Sequence, residues 1–278
     1  SEDGKVDGVR FLVSGNGLND TFVTANGGRL EIPNLLAGEY TVTEQVDGAY
    51  EPQKSQTVAV VPGQTTTVTF SNTLKRGGLR VVKTSEDSWL EGHTFRLSGT
   101  SLSGDRVELY AKTDSQGIAA FKDVLISGDT PYVLEEIDTD ERYVVPSAQN
   151  IAVEWNKVTE KTVVNRLKKW NLTVSKVDAE TGTAQGEGSL AGARYSLYRH
   201  GVLQKVYITD SHGRFTTDWY SCGDGWSLQE VAPSLGYQLD TKEYVLGVEP
   251  GRYTMEYNAE ALTVQETVIK GRVAILKH

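Results

Sequence analysis

The chain has a single cysteine, Cys222, among its 278 residues, so no internal disulfide can form. If the protein works outside a cell, something other than disulfides must reinforce it. Long hydrophobic runs are also missing, which excludes a membrane-spanning helix. There is no surplus of positive charge: 28 Lys and Arg stand against 37 Asp and Glu, for a formal net charge of −9. Nucleic acid, whose phosphates demand a basic face, is therefore not an expected partner. The four histidines, His93, His200, His212 and His278, are scattered without metal-ligand spacing, so neither a metal nor a cofactor is expected. Asp210-Ser-His212 has the letters of a catalytic triad, but neighbours in one turn cannot form one. No segment carries a helical stripe of apolar residues.

What is present is a pattern written three times. A glycine precedes an aromatic by three residues at Gly8…Phe11, Gly92…Phe95 and Gly192…Tyr195. A threonine then precedes a glycine by four at Thr24…Gly28, Thr113…Gly117 and Thr209…Gly213. An aromatic stands four residues before a glutamate at Tyr40…Glu44, Tyr132…Glu136 and Trp226…Glu230. Each copy closes on an asparagine, Asn72, Asn165 or Asn258, at separations of 28, 29 and 28 residues from its glutamate. The runs between turns are short and rich in Val, Thr and Tyr, and the turns hold Gly, Asp, Asn and Pro. The prediction is an all-β chain of three tandem Ig-like antiparallel β-sandwiches. The expected domains are 1–75, 76–167 and 168–262, with 263–278 a linker followed by the first strand of another domain.

Strand periodicity selects the residues that carry chemistry. Side chains two apart share a face, so Leu79, Val81 and Lys83 point together, as do Leu172, Val174 and Lys176. Glu44 shares a face with Tyr40 and Val42, and Glu136 with Tyr132 and Leu134. Asn72 shares one with Val68 and Phe70, and Asn165 with Val163. If the apolar partners face a core, so do lysine, glutamate and asparagine, and ordinary polar burial of all three is costly. Burial favours a neutral amine and a neutral acid. The amine can then attack the asparagine carbonyl while the glutamate polarises it and relays protons, releasing ammonia and leaving an amide cross-link. The plainer alternative is that the three residues only hydrogen-bond, or that lysine reaches out to solvent. In the third copy Asn258 shares parity with Thr254 and Glu256, so a bulge is needed to turn it inward.

This set of elements resembles the tandem CnaB-type domains (prealbumin-like, SpaA-type) of Gram-positive surface adhesins and pilins. The similarity runs over essentially the whole chain and is close at Leu190–Tyr198, Glu230–Tyr237 and Val268–His278. The resemblance implies prealbumin-like sandwiches in an elongated array, with first and last strands adjacent and intramolecular isopeptide bonds. It carries Lys83, Glu136 and Asn165 as one bonded set, and Lys176, Glu230 and Asn258 as another. It also implies a structural stalk or fibre role at an extracellular bacterial surface, with no turnover enzyme activity. Wall anchoring would come from sequence outside this chain, because no Leu-Pro-x-Thr-Gly signal is present. A ligand-binding adhesin module is the alternative, with host protein or glycan docking on loops or on the face bearing Trp219, Tyr220 and Trp226. Those aromatics fit core and edge packing at least as well, and Cys222 fits a buried structural thiol.

The first copy has Glu44 and Asn72 but no lysine-bearing strand before Gly8, and Lys5 sits in the following turn. The chain's last residues, Val273, Ile275 and Lys277, share a face as Leu79, Val81 and Lys83 do. Two readings stay open: a boundary within a longer repeat protein, or donor-strand pairing. In the second, residues 268–278 of one subunit fill the first domain of the next, and Lys277 bonds Asn72 with help from Glu44.

Overall fold

The computed structural model describes residues 1–277; His278, one of the four histidines and the last residue of the expected donor strand, lies outside the described residues. The chain is almost entirely β, and its strands fall into three repeats. The first contains β1 (Arg10–Gly15), β2 (Leu18–Val23), β3 (Gly38–Gln45) and β4 (Gln56–Val60), in the sheet order β2-β1-β3-β4. The second contains β5 (Arg76–Ser85), β6 (Thr94–Thr100), β7 (Arg106–Lys112), β8 (Ile118–Leu125), β9 (Tyr132–Ile137), β10 (Gln149–Ile151) and β11 (Val158–Asn165). Its two sheets run β10-β9-β6-β7 and β11-β5-β8. The third contains β12 (Lys169–Asp178), β13 (Arg194–Arg199), β14 (Val202–Ile208), β15 (Arg214–Thr216), β16 (Tyr220–Ser221), β17 (Gly223–Ala232), β18 (Glu243–Val248) and β19 (Tyr257–Glu266). One sheet is β14-β13-β17-β18; the other is β15-β12-β16 with β19 parallel to β12.

Residue packing groups the chain into two compact units. One is Ser1–Thr84 with Leu90–Asp138 and Ser147–Val163; the other is Ser85–Trp89 with Thr139–Pro146 and everything from Val164 onward. In the first unit, Leu79, Val81 and Phe121 of one sheet meet Phe95, Leu97, Tyr132 and Leu134 of the other. In the second, Trp170, Leu172, Val174 and Val264 meet Tyr195, Leu197, Trp226 and Leu228. Both cores are made by period-two alternation, which sends every second side chain of a strand to the same face. Along β12 the alternation is unbroken: Trp170, Leu172, Val174, Lys176 and Asp178 are all buried.

The repeated threonine and glycine turn proves to be a brace. The Oγ1 of Thr24, Thr113 and Thr209 accepts a hydrogen bond from the backbone N–H of Val9, His93 and Ala193 respectively. Each threonine therefore pins the residue that follows the first glycine of its motif. Gly117 and Gly213 accept hydrogen bonds from the backbone N–H of Lys83 and Lys176. Both glycines have left-handed φ, +78° and +74°, and a Cβ there would lie 2.6 and 2.7 Å from the carbonyl oxygens of those lysines. The turn thus fixes the strand that carries the lysine, and only glycine fits so close to it.

The first repeat differs at one place. Where the second has the sheet β11-β5-β8, residues 30–36 and 65–72 of the first form no strand. Val68, Phe70 and Asn72 keep the alternation in burial, with Phe70 packed 5.0 Å from Phe11 between ring centroids. A ladder needs a neighbouring strand to pair with, and among the described residues no strand runs between these two segments.

Candidate functional site

In the second repeat, alternation along β5 and β9 aims two ionisable side chains into one dry space. Lys83 donates a 2.8 Å hydrogen bond from Nζ to Oε2 of Glu136, and the exposures of the two side chains are 0% and 1%. The other glutamate oxygen, Oε1, lies 3.1 Å from Nδ1 of His93. His93 is placed there by the motif glycine before it and by the Thr113 brace. Burial pulls the Lys83 amine below its ordinary range, against the opposing pull of Glu136. Glu135, the neighbour of opposite parity, pairs at the half-exposed face with Arg96. Asn165, the last residue of β11, is fully buried, and its carbonyl accepts a hydrogen bond from the Glu86 N–H.

The third repeat has the same lysine and glutamate but a different third member. Lys176 Nζ donates to Glu230 Oε1 at 3.0 Å and lies 3.2 Å from Oε2 of Glu266. All three residues are at most 2% exposed. Burial pushes the Glu230 carboxyl above its usual range, although the Asp240 N–H donates to its Oε2 at 2.7 Å and Lys176 lies beside it. Tyr195 donates to Glu266 Oε1 at 2.8 Å. Burial raises the Tyr195 hydroxyl far above its ordinary value, so it remains a donor.

Asn258, the residue expected to partner Lys176, is not in this site. It is the second residue of β19, level with Trp170, and its amide donates to the carbonyls of Lys169 and Met255. It is six residues from Lys176, about 20 Å along a strand. The level position opposite Lys176 is Val264. No bulge is needed, because the closing strand extends eight residues beyond the expected asparagine. Residues 263–266, expected in a linker, are the last four residues of that strand.

Two repeated contacts identify Glu266 as the counterpart of the asparagines. The carbonyls of Asn72, Asn165 and Glu266 accept from the N–H of Glu2, Glu86 and Ala179. Two residues further on, Leu74, Leu167 and Val268 form isolated bridges with Tyr50, Tyr143 and Tyr237. Those tyrosines make a further repeated feature that the sequence pattern did not bring out. Their hydroxyls donate to Asp3, Asp87 and Asp178 at 2.8, 2.6 and 3.2 Å. The signal was available: each tyrosine follows its glutamate by six or seven residues. Burial would push the Asp87 carboxyl up, but hydrogen bonds from Ser85, Tyr143 and the Trp89 N–H outweigh it and hold it at about 2.

In the first repeat Asn72 donates to Glu44 Oε1 at 2.6 Å, with both residues buried. Their remaining oxygens, Glu44 Oε2 and Asn72 Oδ1, are buried without a hydrogen-bond partner. Lys5 does not fill the place of Lys83; it lies at the surface against Asp3 and the Ser103 carbonyl. Residues 269–277 form no strand, and Val273, Ile275 and Leu276 are 85–90% exposed. The strand face expected for Val273, Ile275 and Lys277 is thus not formed within the chain.

The aromatic face of the third repeat divides into core and edge. Trp226 is 2% exposed, packed edge-on against Trp170 at 5.0 Å and tilted against Tyr220 at the same distance. It is not exposed for stacking on a glycan. Trp219 is exposed at the edge, against Tyr257. Cys222 is buried, and burial pushes its thiol up to about 11, where it is unreactive at neutral pH. Asp210 accepts from the N–H groups of His212 and Arg214, making Asp210-Ser-His212 a turn.

The chain belongs to the SpaA family of prealbumin-like fold domains, whose model matches residues 1–74, 77–167 and 170–261. No curated protein matches it. Among solved structures it is similar to the Bacillus anthracis TIE protein, at 21% identity and a TM-score of 0.64 over 94% of this chain and 48% of that one. It therefore spans about half the length of that protein. Weaker likenesses are to BcpA, the major pilin subunit of Bacillus cereus (12% identity, TM-score 0.47, 96% of each chain). Another is to GBS52, the minor pilin of Streptococcus agalactiae (16% identity, TM-score 0.33, 72% of this chain and all of that one).

Proposed function

We propose that the chain is a structural segment of an extracellular bacterial surface fibre or stalk, made resistant to force by covalent bonds it forms within itself. The observation that carries this reading is the fully buried Lys83 amine on the buried Glu136 carboxylate. An ion pair so completely dehydrated adds little stability over apolar packing, whereas the same arrangement suits a reaction. Asn165 ends β11, the strand beside β5 in the sheet order, and it too is buried. In this reading Lys83 Nζ passes a proton to Glu136 and attacks Asn165 Cγ, while Glu136, holding that proton, polarises the carbonyl. The amide nitrogen of Asn165 takes up the amine's proton and leaves as ammonia. Each bond forms once, and the protein is its own substrate. A pull on the domain then passes from its first strand to its last through a covalent bridge.

A tryptic digest tests this. Peptide Val81–Arg96 is expected joined to Thr162–Arg166, at a mass one ammonia below their sum, with no cleavage after Lys83. Linear Val81–Lys83, Thr84–Arg96 and Thr162–Arg166 would overturn the proposal.

The first repeat extends the same reading to a neighbouring molecule. Glu44 and Asn72 are the counterparts of Glu136 and Asn165, each with an oxygen lacking a hydrogen-bond partner, and among the described residues no strand separates residues 30–36 from 65–72. A strand bearing two or three apolar residues and a lysine suits that opening, and residues 273–277 of a second copy have this form with their apolar side chains exposed. Lys277 would then bond Asn72, assisted by Glu44, and join subunits head to tail. Boiled samples on a denaturing gel are expected to show a ladder of multiples of 30.5 kDa, lost on Lys277→Ala. A single monomer band for the unaltered protein would exclude the covalent joint.

A further inference from the structure

The third repeat places a carboxylate where the other two place an asparagine amide, and that exchange is accompanied by a second. At the aromatic position of the opening motif, the first and second repeats have Phe11 and Phe95, while the third has Tyr195. The extra hydroxyl of Tyr195 is the group that donates to Glu266. A carboxylate has one more strong acceptor than an amide, and the tyrosine supplies a partner for it. The two exchanges answer one another across a pair of residues 71 positions apart in the chain.

The resulting pocket contains one amine and two carboxyl groups, each essentially out of water. With all three ionised it would hold a net negative charge, for which a dehydrated site offers poor solvation. A neutral amide and a neutral acid in the same space would remove every formal charge. The amine is in direct contact with both carboxyl groups: Lys176 Nζ lies 3.2 Å from Glu266 Oε2 and 3.0 Å from Glu230 Oε1. Glu230 is itself held by the Asp240 N–H on its far oxygen, and the Tyr237 ring lies 5.2 Å from the amine.

We infer that the third repeat is closed by an amide bond between Lys176 Nζ and Glu266 Cδ, formed with loss of water rather than ammonia. This rests on the proposed cross-linking function and names a different acceptor chemistry for one of its sites. The step balances without a co-reactant. An ammonium and a carboxylate together contain the atoms of one amide and one water. Lys176 Nζ attacks Cδ of Glu266 and forms the C–N bond. One C–O bond breaks, and its oxygen leaves with two protons that came from the lysine. Glu230 carries protons between amine and leaving oxygen, while Tyr195 holds Oε1, the oxygen that becomes the amide carbonyl. Tyr195 is a positioning residue that makes a carboxyl group serviceable where the second repeat uses an amide.

Peptide mapping of the unaltered protein by high-resolution mass spectrometry tests this. Trypsin is expected to yield Trp170–Arg194 joined to Tyr253–Lys270, uncleaved after Lys176 and one water below the sum of the two. Fragmentation should place the link at Glu266. Asn258 lies in the same peptide, and a deficit of ammonia localised there would overturn the inference. Recovery of linear Trp170–Lys176 and Val177–Arg194, alongside a joined Val81–Arg96 and Thr162–Arg166, would also overturn it while leaving the proposed function standing. If both pairs are linear, both fall together.

Discussion

Replacing Glu136 by alanine is expected to raise the mass of the second repeat by one ammonia, beyond the change from the substitution itself, and to lower its melting temperature by about 20 °C or more. Two effects combine. Without the acid to polarise the Asn165 carbonyl and relay protons, the bond does not form; a positioned general acid–base group is typically worth about 10²–10⁴ in rate. The loop from Lys83 to Asn165 encloses about eighty residues, and releasing such a loop removes about 4–5 kcal/mol of chain-entropy stabilisation, by analogy with disulfides. In addition, Lys83 is left buried without its carboxylate, a loss of about 3–5 kcal/mol for a broken buried pair unless the amine stays neutral. For a domain of this size each kcal/mol shifts the midpoint by about 4–8 °C, so the entropic part alone gives the stated shift. Calorimetry on the unaltered chain and the variant, with their intact masses, provides the comparison. Glu136→Gln separates the two effects, since it keeps the shape and removes the acid. Equal melting temperatures and masses corrected for the substitution would show that Glu136 has no part in a cross-link.

The placement of Lys83 and Glu136 was legible in the sequence because strand periodicity is strict. Leu79 and Val81 commit the third residue of their face to the interior, as Tyr132 and Leu134 do for Glu136. The acceptor of the third repeat was not legible by the same route. Asn258 stands at the spacing set by the other two repeats, but an additional 3-10 turn at Pro250–Arg252 and a longer path after β18 delay the closing strand. An equal spacing in sequence then corresponds to a different height on the strand. What locates the acceptor is the register with β12, a long-range property that local spacing does not encode. Two local clues point the same way in retrospect: Leu262, Val264 and Glu266 share one face, and Tyr195 interrupts a pair of phenylalanines. The Tyr-to-Asp contacts at Tyr50, Tyr143 and Tyr237 were obscured for a related reason. The tyrosines recur at nearly constant spacing, while their aspartates lie 47, 56 and 59 residues away in the chain.

The large aromatic core of the third repeat also belongs to its chemistry. Trp226 and Glu230 lie on β17, on the same face with Leu228 between them. Trp170 lies on β12 on the face that carries Lys176. The two tryptophans meet edge to face, and the Arg199 guanidinium lies 5.3 Å from the Trp226 ring. Trp226→Ala is expected to destabilise this repeat by about 3–5 kcal/mol, through lost burial and the cavity left behind. The same gap loosens the strand that aims Glu230 at Lys176, so a smaller fraction of molecules should recover the joined Trp170–Arg194 and Tyr253–Lys270 peptides. Urea unfolding followed by Trp fluorescence, together with the digest, reads both quantities. Trp219→Ala, at the exposed edge, is the matched control and should leave both within about 0.5 kcal/mol and the same yield. If Trp226→Ala left stability and yield unchanged, β17 would not be held by that core, and the alignment of Glu230 would have to come from the Asp240 N–H and Lys176 alone. A loss in stability with an unchanged yield would place bond formation before the core closes. The isolated contact between amine and carboxyl would then be enough to direct the reaction, and the sandwich would only preserve its product.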